Sequence, residues 1–251
     1  MRFAAPAQYP PGMSRARQTV TLTADLVILT IRDGTLCVLV VERGNEPFEG
    51  RLALPGGFLR GGENLDETAA RELCEETGVR AEKLHLQQVG VYSDPERDPR
   101  RPRVVTCAYL AIAPDLPLPT AGSDARSARW APVGVVESTG LAFDHDQILR
   151  DAVELARAEL QFRTIATAFC GDDFTIGELR EVYEVIWGVT LDKPNFHRKV
   201  TEADGFLVPT GGKRPVANGR PAALYRAGDA ELLAPPMMRP RSTTPERSRG
   251  R

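Results

Sequence analysis

The chain has 251 residues, with 32 Lys and Arg against 34 Asp and Glu, 42% apolar and 26% charged. That length and balance fit one large soluble domain or two ordinary ones, and they exclude collagen-like, coiled-coil and wholly disordered chains. The apolar runs are strand-sized, short of the ~18 residues a membrane helix needs. The opening segment MRFAAPAQYPPGMSRARQTV carries no apolar signal core, so a cytoplasmic protein with no membrane partner is expected. The net charge of −2 conceals an asymmetry: +3 over residues 1–20, −11 over 21–190, +4 over 191–226 and +2 over 227–251. An acidic body joined to a basic C-terminal third suggests a small-molecule or metal site in one part and a polyanion partner in the other. Cys37, Cys74, Cys107 and Cys170 form no C-x-x-C pair and sit among apolar neighbours, as small core residues do; a disulfide framework or metal knuckle is not expected.

Residues 1–20 and 229–251 are rich in Pro, Ala and Arg without periodicity and read as disordered ends. Val20 to Ile31 and Leu36 to Val41 are apolar runs around the turn signal Asp33-Gly34, which predicts a hairpin. Arg51 to Leu54 predicts a short strand stopped by Pro55-Gly56-Gly57, and Asp66 to Thr77 predicts a helix closed by Gly78. Leu84 to Tyr92 and Val104 to Ala113 follow as strands, separated by the charged loop SDPERDPRRPR. From Asp144, a plausible N-cap, Ile148, Leu149, Ala152, Val153, Leu155, Ala156 and Leu160 recur at helical spacing. Thr175 with Glu178 forms a capping box for a second helix ended by Gly188, and Pro194 opens a third. No strand signal returns before Phe206, after which two short extended runs, Phe206 to Thr210 and Pro221 to Tyr225, flank a glycine-rich basic loop. Three helices followed by a basic hairpin is the layout of a winged helix-turn-helix.

The chemistry is concentrated between Gly57 and Val79. Glu72, Glu75 and Glu76 stand at i, i+3 and i+4, so three carboxylates share one helix face. Such like charges repel. A solvated acidic face is one reading; the other is a divalent-cation site, for which all-oxygen ligands favour Mg2+ or Mn2+. Gly56-Gly57 and Gly61-Gly62 would let backbone approach a ligand, and Arg71 can pair with Glu63 to fix the loop against the helix.

These residues fill all nine defined positions of G-x5-E-x7-R-E-U-x-E-E-x-G-U across 23 residues, with Leu73 and Val79 at the aliphatic U positions. The segment therefore resembles the Nudix box, and Trp130-Ala-Pro132 is similar to the close of many such domains. The resemblance implies a Nudix α/β/α sandwich with mixed sheet and metal-assisted hydrolysis of a nucleoside diphosphate linked to another group. It further implies Glu72, Glu75 and Glu76 as catalytic metal ligands, with Glu63 and Arg71 in support. Pro95, sixteen residues after Val79, resembles the ADP-ribose-handling subgroup. Arg97, Arg100, Arg101 and Arg103 in the same loop are available for phosphate or ribose, or for solvent alone.

The stretches FTIGELREVYEVIWGVTLDKPNFHRKV and GGKRPVANGRPAALYR resemble the C-terminal winged helix of NrtR-type Nudix-related regulators of NAD metabolism. The implied arrangement is a Nudix domain over 21–142, then a linker helix and a small α+β winged helix domain over 143–228. The implied function is binding of operator DNA as a homodimer under control of ADP-ribose or a related NAD metabolite. Many members have degenerate boxes and no hydrolysis, whereas this box is whole, so loss of hydrolysis is not implied here. The alternative is a Mg2+-dependent ADP-ribose pyrophosphatase that uses the C-terminal domain to dimerise. On their own terms, Asn195, His197, Arg198 and Lys199 are polar donors on the recognition helix, while Phe196 and Val200 face the core. Lys213, Arg214 and Arg220 lie on the wing, where they suit a phosphate backbone or minor groove; a basic solubilising tail is the plainer reading.

Overall fold

Strand β1 (Val20–Arg32) turns through Asp33 and Gly34 into β2 (Thr35–Arg43), and both turn residues take positive φ, 48° and 69°, as a two-residue hairpin of twisted strands requires. The computed structural model describes residues 18–78, 85–100, 102–112, 114, 125–215 and 220–240. The expected disorder of 1–17 and 241–251 thus falls outside it. Along its other edge β1 runs parallel to β6 (Arg103–Ile112), from Val20 opposite Arg103 to Leu29 opposite Ile112. β1 is consequently buried on both faces: Ala24, Leu26 and Ile28 turn to one, Val27 and Leu29 to the other. This is why it reads as an unbroken apolar run.

Strands β3 (Leu52–Ala53) and β7 (Ala125–Pro132) pair with β2, β4 (Gly56–Phe58) with the start of β1, and β5 (His85–Tyr92) with β6. They complete a seven-stranded mixed sheet. Helix α1 (Leu65–Thr77) covers one face through Ala69 and Leu73. Helices α2 (Val133–Thr139) and α3 (His145–Phe162) cover the other through Val136, Ile148, Leu149 and Ala152. The α/β/α sandwich is as expected. Helix α1 starts one residue earlier than the prediction because Asn64 and Glu67 form a capping box, and it ends at Gly78, φ 71°.

The distal half of α3 packs through Val153, Ala156 and Leu160 into the C-terminal half of the molecule. There a 3-10 turn (Ile165–Phe169), β8 (Phe174–Thr175), α4 (Ile176–Trp187), α5 (Lys193–Glu202) and the hairpin β9 (Leu207–Arg214) with β10 (Ala222–Ala227) make the winged helix. Thr175 and Glu178 cap α4 reciprocally, and Gly188 closes it at φ 66°. Phe196 and Val200 of α5 are buried against Tyr183 and Trp187 of α4.

Four expectations change. Asp144 stands at the N-terminus of α3 but caps nothing, because its carboxylate accepts from Arg97. A strand does precede Phe206: β8 pairs with β10. Cys74 is exposed rather than a core residue, while Cys37 and Cys107 are buried and Cys170 is half-buried. The tail expected to be disordered from 229 is packed at least to 240. Leu233 and Met237 are buried, and their amides donate to the carbonyls of Phe162 and Gln161, groups that the end of α3 leaves free. Arg239 reaches the Trp187 carbonyl at 3.3 Å. Among the described residues, no helix is long and apolar enough to cross a membrane.

Candidate functional site

Helix α1 delivers Glu72, Glu75 and Glu76 to one side of a cleft of about 600 Å³, whose floor is β1 and β4. Arg71 organises that side. Its guanidinium bonds Glu63 at 2.7 Å, Glu72 at 2.6 Å, Glu75 at 3.3 Å and the carbonyl of Phe58 at 3.2 Å, tying the loop before α1 to the helix. The bonds from Arg71 hold the Glu63 carboxyl down to about 2. Glu76 is pushed the other way, to about 7, by burial and by the adjacent charges of Glu72 and Glu75. Its Oε2 is buried and has no hydrogen-bond partner among the described residues.

The glycines act unequally. A Cβ on Gly57 would collide with the Glu72 carboxylate, and one on Gly56 with the backbone of Ala24 and Asp25. Those close approaches are within the protein. At Gly61 and Gly62 an added Cβ meets nothing, so the second pair faces open space and needs glycine only for the φ of 94° at Gly62.

The opposite wall comes from three other parts of the chain. Arg97 is 7% exposed and is bound by Asp144 at 2.7 Å and Asp25 at 3.3 Å. It is therefore held as a strut between β1 and the start of α3 while it lines the cleft, rather than standing in a solvated loop. Arg100 is anchored on Asp98, with its guanidinium over the rings of Phe58, at 5.4 Å, and Phe143, at 5.3 Å. His145 accepts the Leu54 amide at Nδ1, 2.9 Å, which leaves Nε2 as the protonated nitrogen facing Asp25 at 3.5 Å. Burial raises the Asp25 carboxyl, but His145 and Arg97 beside it outweigh that and hold it below the usual range. Sequence reading missed Asp25, Phe143 and His145. Asp25 is hidden in an apolar strand and the other two lie beyond the box, so only the fold brings them to it.

In the winged helix, Asn195, His197 and Arg198 are exposed along α5 and Lys199 is half-exposed. Arg198 is engaged by Glu202 at 3.2 Å and Asn195 at 3.0 Å. On the hairpin, Lys213 and Arg220 are exposed, but Arg214 is tied to Glu178 and to the Asp173 carbonyl. Arg226 is bound to Asp173 at 2.5 Å. The basic residues thus divide into those held by carboxylates and a set, Lys193, Lys199, Lys213 and Arg220, with no ion pair among the described residues.

Residues 21–152 match the NUDIX domain family, and residues 166–227 match the NrtR DNA-binding winged helix domain. The chain belongs to the Nudix family, in its NrtR-type branch. It is 31% identical over 207 residues to the ADPR responsive transcriptional repressor of Acinetobacter baylyi, covering 82% of this chain and 81% of that one. The Shewanella oneidensis NrtR solved in complex with a 27mer DNA superposes with a TM-score of 0.72 at 33% identity, covering 82% of this chain and 93% of that one. The ADP-ribose pyrophosphatase of Methanocaldococcus jannaschii is 40% identical over 116 residues, 45% of this chain and 64% of its own length.

Enzymes of the Nudix family generally use divalent metals. The donor set here suits one in its chemistry: three carboxylates, hard oxygen ligands, and at Glu76 a buried oxygen lacking a partner among the described residues. Among the described residues no three such groups stand at ligating distance; Arg71 is paired with Glu72 and Glu75, and Arg60 with Glu75 at 3.3 Å. Val79, the last aliphatic position of the box, lies outside the described residues.

Proposed function

We propose that this protein is a DNA-binding transcriptional regulator of NAD metabolism whose Nudix half binds ADP-ribose or a closely related nucleoside diphosphate. The observation that carries the reading is the union, in one chain, of a cleft lined by the box carboxylates with a winged helix that presents unpaired cations on its recognition helix and wing. Asn195, His197, Arg198 and Lys199 would read base edges or phosphates, and Lys213 and Arg220 would hold the backbone. Arg214, engaged by Glu178, serves the wing's own structure first. A homodimer on a two-fold operator is the expected assembly. Ligand would bias DNA affinity by a coupling of ~1–3 kcal/mol, roughly 5- to 150-fold.

The complete box favours a second activity in the same cleft, hydrolysis of the diphosphate. Glu72, Glu75 and Glu76 would hold Mg2+ or Mn2+, which when bound neutralises diphosphate oxygens and acidifies a water. Arg71 and Glu63 keep those carboxylates in register, and Gly57 leaves room for Glu72.

Both parts are testable with purified protein. Fluorescence anisotropy on the duplex upstream of its own gene should show retention that ADP-ribose changes by at least several-fold. Retention of no duplex at low salt sinks the regulator. With Mg2+ and ADP-ribose, AMP and ribose 5-phosphate should appear and should vanish in Glu76→Gln; absence of turnover leaves the cleft as a sensor only.

A further inference from the structure

Arg60 stands among the five positions between Gly57 and Glu63 that the box pattern leaves undefined. Its backbone is pinned: the Arg60 amide donates to the Glu63 carboxylate at 3.2 Å, and the Glu63 amide donates to the Arg60 carbonyl at 3.1 Å. Its side chain is not. The side chain is 59% exposed at the wall of the carboxylate cleft, and its one hydrogen bond among the described residues runs from Nη1 to Glu75 Oε1 at 3.3 Å.

Glu75 is therefore shared between two cations of unequal hold. Arg71, at Oε2, has a side chain only 17% exposed and four further bonds: two to Glu63, one to Glu72 and one to the Phe58 carbonyl. Arg60, at Oε1, has no second bond to keep it there, and an exposed pair of this kind is among the weakest of ion pairs. Mg2+ sits ~2.1 Å from a carboxylate oxygen and carries twice the charge, so a guanidinium cannot stay on the oxygen that such a cation takes. Of the two arginines, Arg60 is the one that yields. Rooted at the cleft by its backbone, it then presents a charged fork without a partner, and that fork matches the oxygens of a phosphate.

We propose that Arg60 and a divalent cation take Glu75 Oε1 in turn, and that the arginine displaced from it binds a phosphate of the nucleoside diphosphate. The exchange rests on the metal- and nucleotide-binding reading above and deepens it. Cation and diphosphate then favour each other through a side chain of the protein, in addition to any contact between the two ligands themselves. Removing Arg60 has opposite effects on the two: the cation loses a competitor, and the diphosphate loses a partner.

The full-length protein tests this with Mn2+ alone, free ion being counted by electron paramagnetic resonance, and with the α,β-methylene analogue of ADP-ribose titrated calorimetrically at saturating Mn2+, so that no hydrolysis intervenes. Arg60→Ala should bind Mn2+ about two- to fivefold tighter than wild type. It should bind the analogue about tenfold or more weaker. Arg100→Ala is the control for charge alone, because it removes a cation from the same cleft that touches none of the three carboxylates; its Mn2+ affinity should stay at the wild-type value. Unchanged or weaker Mn2+ binding in Arg60→Ala overturns the exchange, as does an unchanged affinity for the analogue. An equal gain for Mn2+ in Arg100→Ala overturns it too, since the effect is then one of net charge. These three outcomes leave the metal and nucleotide readings standing. A wild-type protein that binds no Mn2+, or binds Mn2+ but not the analogue, overturns the exchange together with the corresponding reading. The exposure of Arg60 and its backbone bonds, which any side chain preserves, keep the Ala variant folded, with a thermal midpoint near wild type.

Discussion

At the scale of single residues, Gly56 and Gly57 are neighbours with separable duties. The atoms a side chain at Gly56 would strike are backbone atoms of Ala24 and Asp25 in a buried strand, which cannot step aside. Gly56→Ala should cost about 1–3 kcal/mol, read as a lower thermal midpoint. At Gly57 the obstacle is the end of the Glu72 side chain, which can swing away. Gly57→Ala should therefore melt close to wild type yet lose most of the thermal stabilisation expected on adding Mg2+ to the wild type, because Glu72 no longer reaches the cleft. Glu63 supplies a pH signature. Arg71 lowers its carboxyl from the ordinary 4.5 to about 2 on folding, so the pair's contribution is fully present above about 4.5 and is lost as pH falls through about 2. Denaturation curves of Glu63→Gln across that window should fall less steeply with acid than those of wild type.

At the scale of elements, the last strap of described chain is the clearest surprise. Residues 229–240 contain three prolines and little periodicity, and composition alone assigns them to a disordered tail. What orders them lies elsewhere: free carbonyls at the end of α3, the Ala230 carbonyl taken by Thr164 at 2.6 Å, and an apolar groove that accepts Leu233 and Met237. Leu233→Ala or Met237→Ala should destabilise the protein by about 2 kcal/mol or more in chemical denaturation; no loss would mean the strap is passive. The same contrast explains what was legible elsewhere. Helices α1 and α4 could be read because their caps, glycine stops and periodicity are all local. β8, two residues long, exists only because Leu224 and Tyr225 present a free edge, and α2 is a seven-residue helix without a side-chain cap. The box could be recognised from its own 23 residues, whereas Asp25, Phe143 and His145 join it across 32 or more positions of chain. The partners of Arg97 are hidden for the same reason: a basic residue in a charged loop looks free until β1 and α3 bring Asp25 and Asp144 to it.

At the scale of the molecule, the charge asymmetry acquires a structure. The acidity of the body is partly gathered at the cleft, and the cations of the C-terminal third divide into paired and unpaired. On the proposed DNA-binding reading, the unpaired ones meet phosphates without first giving up an ion pair. Lys213→Ala should lower the slope of log affinity against log salt by about one per protomer bound and leave the thermal midpoint unchanged. Arg214→Ala, by breaking the bond to Glu178 that ties the wing to α4, should shift the midpoint more than the slope. The reverse ranking would mean the wing docks in another orientation.

Helix α3 carries one more consequence. Its first residues, with Asp144, stand at the wall of the cleft, and its last hold α4 through Trp187 donating to the Arg157 carbonyl at 3.0 Å and Arg157 donating to that of Ile186 at 2.9 Å. The two family matches stop at 152 and resume at 166, so the break between them begins inside this helix, and a single apolar cluster runs across it from Val27 to Phe196. The halves are consequently not interchangeable cassettes. A chimera that grafts a relative's winged helix at that break would join two half-helices whose buried faces evolved against different neighbours. An exchange that respects the molecule has to carry α3 whole, together with the strap that closes its end.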